Sequence, residues 1–461
     1  MNDTSPAAAE PGTPGPGTAG PGTAARRARR QSLAFHRNFR QLWIGDALGQ
    51  FGAQLALLAL PIFAVAHLDA SEAQMGYLTA SETAAFFVIG LPAGAWVDRM
   101  RKRRTLVVAD LVRAAVLAVV VVAGVTGHGS MALLYAAGAV MSCATVFFDV
   151  AHQSYVPGLV GLEHIVEGNS KLQATQSVAA VAAPAVGGAL LRVISAPALI
   201  GATVATYLGS AFFVGRIRHV EELPAREGRR PLRAEIAEGL AFVVRQPLLR
   251  RIVACTAIGN FAGGVTGALM VIYALRTLGL DTATLGVVYS VSSVGGVLGA
   301  ILADRVARWV GEGRAVALSA VAWVPAMALT PLAEPLAHAG VPAAATLIAG
   351  GGVATFLVVV YNVAQVSFRQ RLCPPVLLGR MNASVRFIVW GIMPFGGLLG
   401  GFLGTHLGVT PTLWVAVAVS ALSALPVVLS PLVRMRDLPG PHTAPEAPGT
   451  AVDAAPASTD A

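Results

Sequence analysis

Charge is what this chain has least of. Only 12% of its 461 residues are Asp, Glu, Lys or Arg, about half the ~25% usual in a soluble domain. With 55% hydrophobic residues, apolar runs recur almost end to end, which excludes a water-soluble fold. Cysteine is nearly absent too. Cys143, Cys255 and Cys373 lie far apart, so neither a disulfide framework nor a cysteine zinc site is expected, and all three read as packing residues. No Gly-rich phosphate loop with Lys and Ser/Thr occurs, which argues against ATP-driven chemistry. Histidines stand singly, among them His67, His128, His152, His164, His219, His338 and His406, so no enzyme constellation is visible and no cofactor or metal is expected. Met1 to Ala25 is rich in Pro, Gly, Ala and Thr, and Arg26–Arg30 leads into a polar stretch, so a cleavable signal peptide is not expected.

Twelve apolar segments remain. With roughly 20 residues needed to cross the hydrocarbon, they fall at Gln41–Ala66, Gln74–Val97, Thr105–Thr126, Met131–Tyr155, Asn169–Val193 and Ala196–Gly215, and then Ile252–Leu275, Leu285–Ala303, Ala315–Leu332, Pro342–Phe368, Met381–Leu407 and Pro411–Leu432. The expected organisation is a tail at 1–38, a six-helix half at 39–217, a linker at 218–250, a second half at 251–433 and a tail at 434–461. Both tails have disorder-type composition. In the linker, Leu232, Ile236, Leu240, Val243 and Val244 recur at helical spacing, which predicts an amphipathic helix on the membrane surface. Trp43, Trp96, Trp309, Trp390 and Trp414 fall near span ends, as interfacial anchors do.

The net charge of +9 would suggest nucleic acid in a soluble protein. Here it reports topology. With both termini in the cytoplasm, 29 of the 33 Lys and Arg lie on the inner side, as the positive-inside rule requires, and no nucleic-acid partner is expected. The expected protein is a multi-pass chain of the cell membrane, working as a monomer among lipids.

A repeat joins the halves. The stretch from Gly90 to Arg99 at the end of span 2 aligns with Gly296 to Arg305 at the end of span 8, and Pro184, Gly187 and Gly188 in span 5 are echoed by Pro394, Gly396 and Gly397 in span 11. Parallel six-helix repeats are a signature of secondary transporters with a central site between the halves. In the loop after span 2, Gly94, Asp98, Arg99, Arg103 and Arg104 resemble the loop motif of the major facilitator superfamily, although Arg101 stands where a Gly is usual. An acid and a cation cluster in so short a turn are expected to latch the cytoplasmic ends of neighbouring helices, with Asp110 and Arg113, Asp304 and Arg305 in the second copy, and Arg386 as further gate candidates. Pro184, Gly187 and Gly188 are similar to the antiporter motif of that superfamily's exporters. Further segments, Leu42 to Asp46, Ala59 to Pro61, Ala80 to Thr83, Ala109 to Arg113, Phe147 to Ala151, Tyr361 to Val363 and Gly379 to Ala383, resemble its bacterial branch of macrolide-efflux and enterobactin-exporter-like proteins. That branch implies proton-driven efflux of small hydrophobic or amphipathic compounds, with the proton gradient as energy source. Import, siderophore export and lysolipid flipping are alternatives on the same fold; a membrane enzyme or sensor belongs to a different class.

A carboxylate inside a membrane helix is costly and marks a functional candidate. Glu82 lies about nine residues into span 2, roughly 13 Å from its outer edge and near the midplane, where it is a proton-carrier candidate or a structural acid. Asp46 and Asp149, nearer the cytoplasmic ends of their helices, are candidates for an inner gate or a protonation site. Asp110 and Arg113 share one helix face and read as a salt bridge. Arg386 either opposes an acid across the two halves or binds an anionic part of a substrate. The superfamily's usual Arg in the middle of span 4 is missing, since Met131 to Phe148 carries no basic residue. Gln54, Gln173, Gln176, Asn362 and Gln365 are candidates for a central cavity.

Overall fold

The computed structural model describes residues 33, 36–97, 99–161, 164–219, 221, 232–374 and 377–435. Among them the protein is all helix. Fifteen α-helices follow one another: α1 Arg37–His67, α2 Glu72–Val88, α3 Gly90–Val97, α4 Lys102–Val125, α5 Met131–Val160, α6 Ile165–Leu190 and α7 Ala196–Gly215 in the first half; α8 Leu232–Arg245 in the linker; then α9 Pro247–Ile272, α10 Thr282–Val310, α11 Glu312–His338, α12 Ala343–Leu372, α13 Leu378–Gly391, α14 Met393–Leu407 and α15 Val409–Val428. A π-helical turn, Tyr273–Thr277, extends α9.

Twelve rods result, because α2 with α3 and α13 with α14 each make one interrupted span. Ten spans are long and apolar enough to cross a membrane by length and composition; the broken α2–α3 rod and the more polar α6 complete the set. Both interruptions have the same cause. Pro92 and Pro394 have no N–H to give to the carbonyls four residues back, and their rings crowd that turn. The chain breaks at Ile89 and at Ile392. Span 2, expected as a single helix to Val97, is therefore two. Most other helices run several residues past the expected span, α5 to Val160 and α10 to Val310 for example, since a helix can continue into the headgroup layer once its apolar stretch has crossed.

Apolar packing is concentrated toward the two ends of the bundle. In the first half, Leu42, Leu106, Tyr155 and Val214 gather at the arginine-rich end, and Phe63, Leu134, Ile200 and Tyr207 toward the opposite end. The second half repeats the pattern with Ile252, Phe368 and Val427 at one end and Leu269, Tyr273 and Leu413 at the other. Polar side chains lie between these layers in the first half, with Asp110 and Arg113 buried.

The linker helix α8 is present. Val243 is buried in a cluster with Leu249, Val253 and Met381, whereas Leu240 and Val244 of the same predicted face stay exposed. The Arg380 guanidinium reaches Glu235 at 2.9 Å and Glu238 at 2.5 Å, fastening α8 to the start of α13. Most of both tails lies outside the described residues.

Candidate functional site

The halves meet along two seams. In the first, α2–α3 faces α13–α14. Gly76 and Gly401 bring backbones together: a Cβ on Gly76 would lie 2.7 Å from both the Gly397 carbonyl oxygen and the Gly401 Cα. Without water to drive association, close approach of small residues is what holds membrane helices together. Farther along, Phe86 stacks on Trp390 at 5.7 Å, and Phe87 meets Phe387 at 5.7 Å and Phe395 at 5.2 Å. Gly391, beside the break at Ile392, lies against Phe87, beside the break at Ile89. Trp390 therefore serves packing between halves, as does Trp43 within its own half through its indole N–H to Thr175, 2.7 Å.

The second seam pairs α6 with α10. Far from the arginine-rich end it is tight, since a Cβ on Gly188 would lie 2.8 Å from the Gly286 Cα, and the Ser290 hydroxyl donates to the Val181 carbonyl at 2.7 Å. Gly187 fits against Leu55 and Leu58 of α1, and Pro184 presents its carbonyl to Gly286. Toward the arginine-rich end the helices part. A cleft of about 960 Å³ opens there, with Gln173 on one wall and Val297 on the other.

The ionisable groups fall into three sets. Asp149 of α5 pairs with Arg386 of α13 at 3.0 Å, an ion pair between halves. One turn on, His152 lies 3.4 Å from the buried Asp46 of α1. Sequence reading left this histidine unassigned, because nothing local links positions 46 and 152. In the third set Asp110 takes Arg113 at 3.1 Å and the Ser210 hydroxyl at 2.6 Å, while the guanidinium lies over Phe148 and Tyr207. Every hydrogen-bonding oxygen of this acid is held by its own half.

Glu82 is different. Its side chain packs against Gly138 of α5, where a Cβ would meet the Glu82 Cγ at 3.1 Å. Among the described residues no hydrogen bond or ion pair reaches its carboxylate.

At the arginine-rich end, Glu221 accepts the backbone N–H groups of Lys102 and Arg103 at 2.6 and 2.8 Å, and Arg103 holds the Ile217 carbonyl. The basic loop is thus tied to the end of α7 in its own half, by an acid that sequence reading did not single out. Arg99 and Arg104 are exposed, a Cβ on Gly94 would meet open space, and Asp98 lies outside the described residues. In the second copy of the motif, Asp304 pairs with Arg308 on its own helix and Arg305 is exposed; there the helices are joined by Arg371 and Glu312 instead.

Of the amides proposed for a cavity, Gln173 lines the cleft and bonds to Gln176 at 3.1 Å. Asn362 lines a second, smaller cavity of about 70 Å³ inside the second half, with Trp323, Thr256 and Tyr361. Gln365 donates to Asn362 at 3.2 Å while its own carbonyl oxygen is buried with no partner among the described residues. Gln54 and Gln176 line neither of these two cavities.

Comparison with known proteins gives this arrangement its place. The chain is 27% identical over 406 residues to the multidrug efflux pump Tap of Mycolicibacterium fortuitum, covering 84% of this chain and 93% of that one. The fold superposes on the nucleoside transporter NupG with a TM-score of 0.69 at 14% identity, covering 85% of this chain and 99% of that one. A bacterial homologue of the iron transporter ferroportin gives 0.69 in its inward-facing state, at 16% identity and with 86% and 98% of the chains covered. Residues 42–393 match the Major Facilitator Superfamily, and with twelve rods in two facing halves the chain belongs to that family of membrane transporters.

Proposed function

We propose that the protein is a proton-driven exporter of small hydrophobic or amphipathic molecules, of the macrolide-efflux-like branch, working by alternating access in the cell membrane with its arginine-rich end in the cytoplasm. The observation that carries this reading is Glu82, a carboxylate near the middle of a span with no counter-ion among the described residues. A structural acid at that depth is normally paired, as Asp110 is; one without a partner suits a group that takes up and gives away a proton. The likeness to a multidrug efflux pump and the Pro184, Gly187 and Gly188 motif support outward transport. Sidedness rests on the positions of Lys and Arg.

The energetics are adequate. One proton returning down ~100 mV supplies about 2.3 kcal/mol, enough for a concentration ratio of roughly fiftyfold. Glu82 sits on α2, a helix of the seam between halves, so rocking of the halves changes the surroundings of its carboxyl. Asp149 with Arg386 then forms an ion pair that the two halves make or break as they move, and Asp46 with His152 is a second protonation site within reach of it.

The test is proton release from acid-loaded everted vesicles on addition of hydrophobic dyes and antibiotics. Wild-type protein is expected to release protons and Glu82→Gln to release none, while its dye binding persists. Equal responses would make Glu82 structural, and a wild type that answers no compound overturns export.

A further inference from the structure

The smaller cavity, inside the second half, gains meaning from the repeat. Corresponding helices of the two halves keep one register when counted from their first residues. Asp46 is tenth in α1 and Thr256 tenth in α9; Arg113 is twelfth in α4 and Trp323 twelfth in α11. Asp149 and Tyr361 are both nineteenth, in α5 and α12, and Ser210 and Ser423 both fifteenth, in α7 and α15. The first-half members belong to the ionisable sets of that half, where Asp110 takes Arg113 and the Ser210 hydroxyl, Asp46 lies by His152 and Asp149 pairs with Arg386. Their four counterparts all line the cavity. Where one half fills its core with carboxylates and a guanidinium, the other carries uncharged groups and leaves a gap.

The gap has a floor and a mouth. Cys255, Ser319 and Ser423 are buried to 5% exposure or less, whereas Asn362 and Val358 of α12 are exposed and Thr256 and Asn260 of α9 half-buried. No Asp, Glu, Lys or Arg lines it. Each amide of the mouth has one end engaged. Asn260 donates to the Val389 carbonyl at 2.5 Å, and Asn362 accepts from Gln365 at 3.2 Å. Among the described residues no hydrogen bond takes the Asn260 carbonyl oxygen or comes from the Asn362 N–H2 group. The mouth therefore offers one acceptor from α9 and one donor from α12. A volume of about 70 Å³ holds roughly two to five waters, or one solute group of that size.

We infer that this cavity is a binding site, separate from both seams, for a small uncharged amide. The N–H2 group of the amide donates to the Asn260 carbonyl oxygen, its carbonyl oxygen accepts from the Asn362 N–H2 group, and its short apolar end lies against Ala320 and Trp323. Charged groups of the same shape do not fit. A carboxylate has no hydrogen for Asn260 and an amidinium no lone pair for Asn362, and either leaves water without meeting a counter-charge.

Cys255 on the floor reports occupancy. In full-length protein in detergent, Cys143→Ser and Cys373→Ser leave it as the single thiol, and methyl methanethiosulfonate, small and neutral, is expected to modify it. Acetamide is expected to slow that reaction at least about threefold at ~0.1 M, since a group of four non-hydrogen atoms binds weakly. Acetate and acetamidinium at the same concentration are expected to leave the rate unchanged. Asn362→Leu, at an exposed position, removes the donor and should abolish protection while the thiol still reacts. Ala320→Val, which grows into the gap, should abolish protection as well. A thiol that never reacts, no slowing by acetamide, equal slowing by all three probes, or protection that survives both substitutions overturns the site. Binding here involves no proton, so failure of the site leaves the Glu82 reading standing, and failure of proton release leaves the site.

Discussion

The seam of α2–α3 with α13–α14 and the seam of α6 with α10 do the same job of joining the halves and are built differently. The first is closed at every level described, by glycine against glycine, then by stacked rings, with the Asp149–Arg386 pair beside it. The second is closed by glycine at one end and open at the other. Sequence explains the contrast. Where α6 turns polar, at Asn169, Gln173 and Ser177, it offers neither the glycines for backbone contact nor the aromatic rings that fill the first seam. One seam is shut along its described length and the other is open at one end.

Disturbing the closed end of the second seam should have the largest effect. Gly286→Val sets a branched side chain where a Cβ already lies 2.5 Å from the Gly188 Cα and 2.8 Å from the Pro184 carbonyl oxygen, and neither backbone can withdraw. A loss of at least about 3 kcal/mol is expected, read as a fall in melting temperature in detergent. Gly90→Ala, where a Cβ meets open space, is the control and should melt as wild type does.

Breaking the ion pair beside the first seam should matter less. Asp149 and Arg386 keep 39% and 29% of their side chains exposed, so their coupling is expected near ~1 kcal/mol in a double-mutant cycle of Asp149→Asn and Arg386→Gln. Cysteine accessibility at Gln173 should rise in both single variants if the pair restrains opening; no change would confine it to local packing.

A smaller effect is expected at the start of α10. Asp281 caps that helix by accepting the Thr284 N–H at 2.8 Å and the Thr284 hydroxyl at 2.8 Å, which hold its carboxyl below the usual value of 3.8. The carboxylate is favoured by folding, so its stabilisation is present above about pH 4 and fades as pH falls through the lowered value. Asp281→Ala should cost about 0.5–1 kcal/mol at neutral pH and show less of that acid-dependent loss. Asp69 and Arg276 come last. They pair across the halves at 2.5 Å, yet the Asp69 side chain is 95% exposed, and Asp69→Asn should shift the melting temperature by no more than about 1–2 °C in low salt and not at all in high salt.

How far the sequence could be read depended on range. Span count, repeat and family were legible because apolar length and the motif around Gly94 and Arg99 are local signals. Asp110 with Arg113 was legible for the same reason, three residues apart on one face. For Arg386 the sequence left two readings open, an acid of the other half or an anionic part of a substrate; in the structure it lies against Asp149. The Asp46–His152 approach and the Glu221 cap were not legible, since each depends on how separate helices lie beside one another. Nor was the break at Ile89 read from Pro92, because apolar length alone carries no mark of an interrupted hydrogen-bond ladder. The cleft is least visible of all in the sequence, being a place where two helices fail to touch.

The two proline breaks lie at one level, with Phe87 of one span against Gly391 of the other. A continuous helix resists bending because each turn is strapped to the next, and straining those straps in lipid finds no water to compensate. Here the straps are already cut, in both rods and side by side. Prolines inside other helices, Pro61, Pro184 and Pro325 among them, loosen a rod without interrupting it; these two interruptions adjoin, so a bend in one rod is met by a joint in its neighbour.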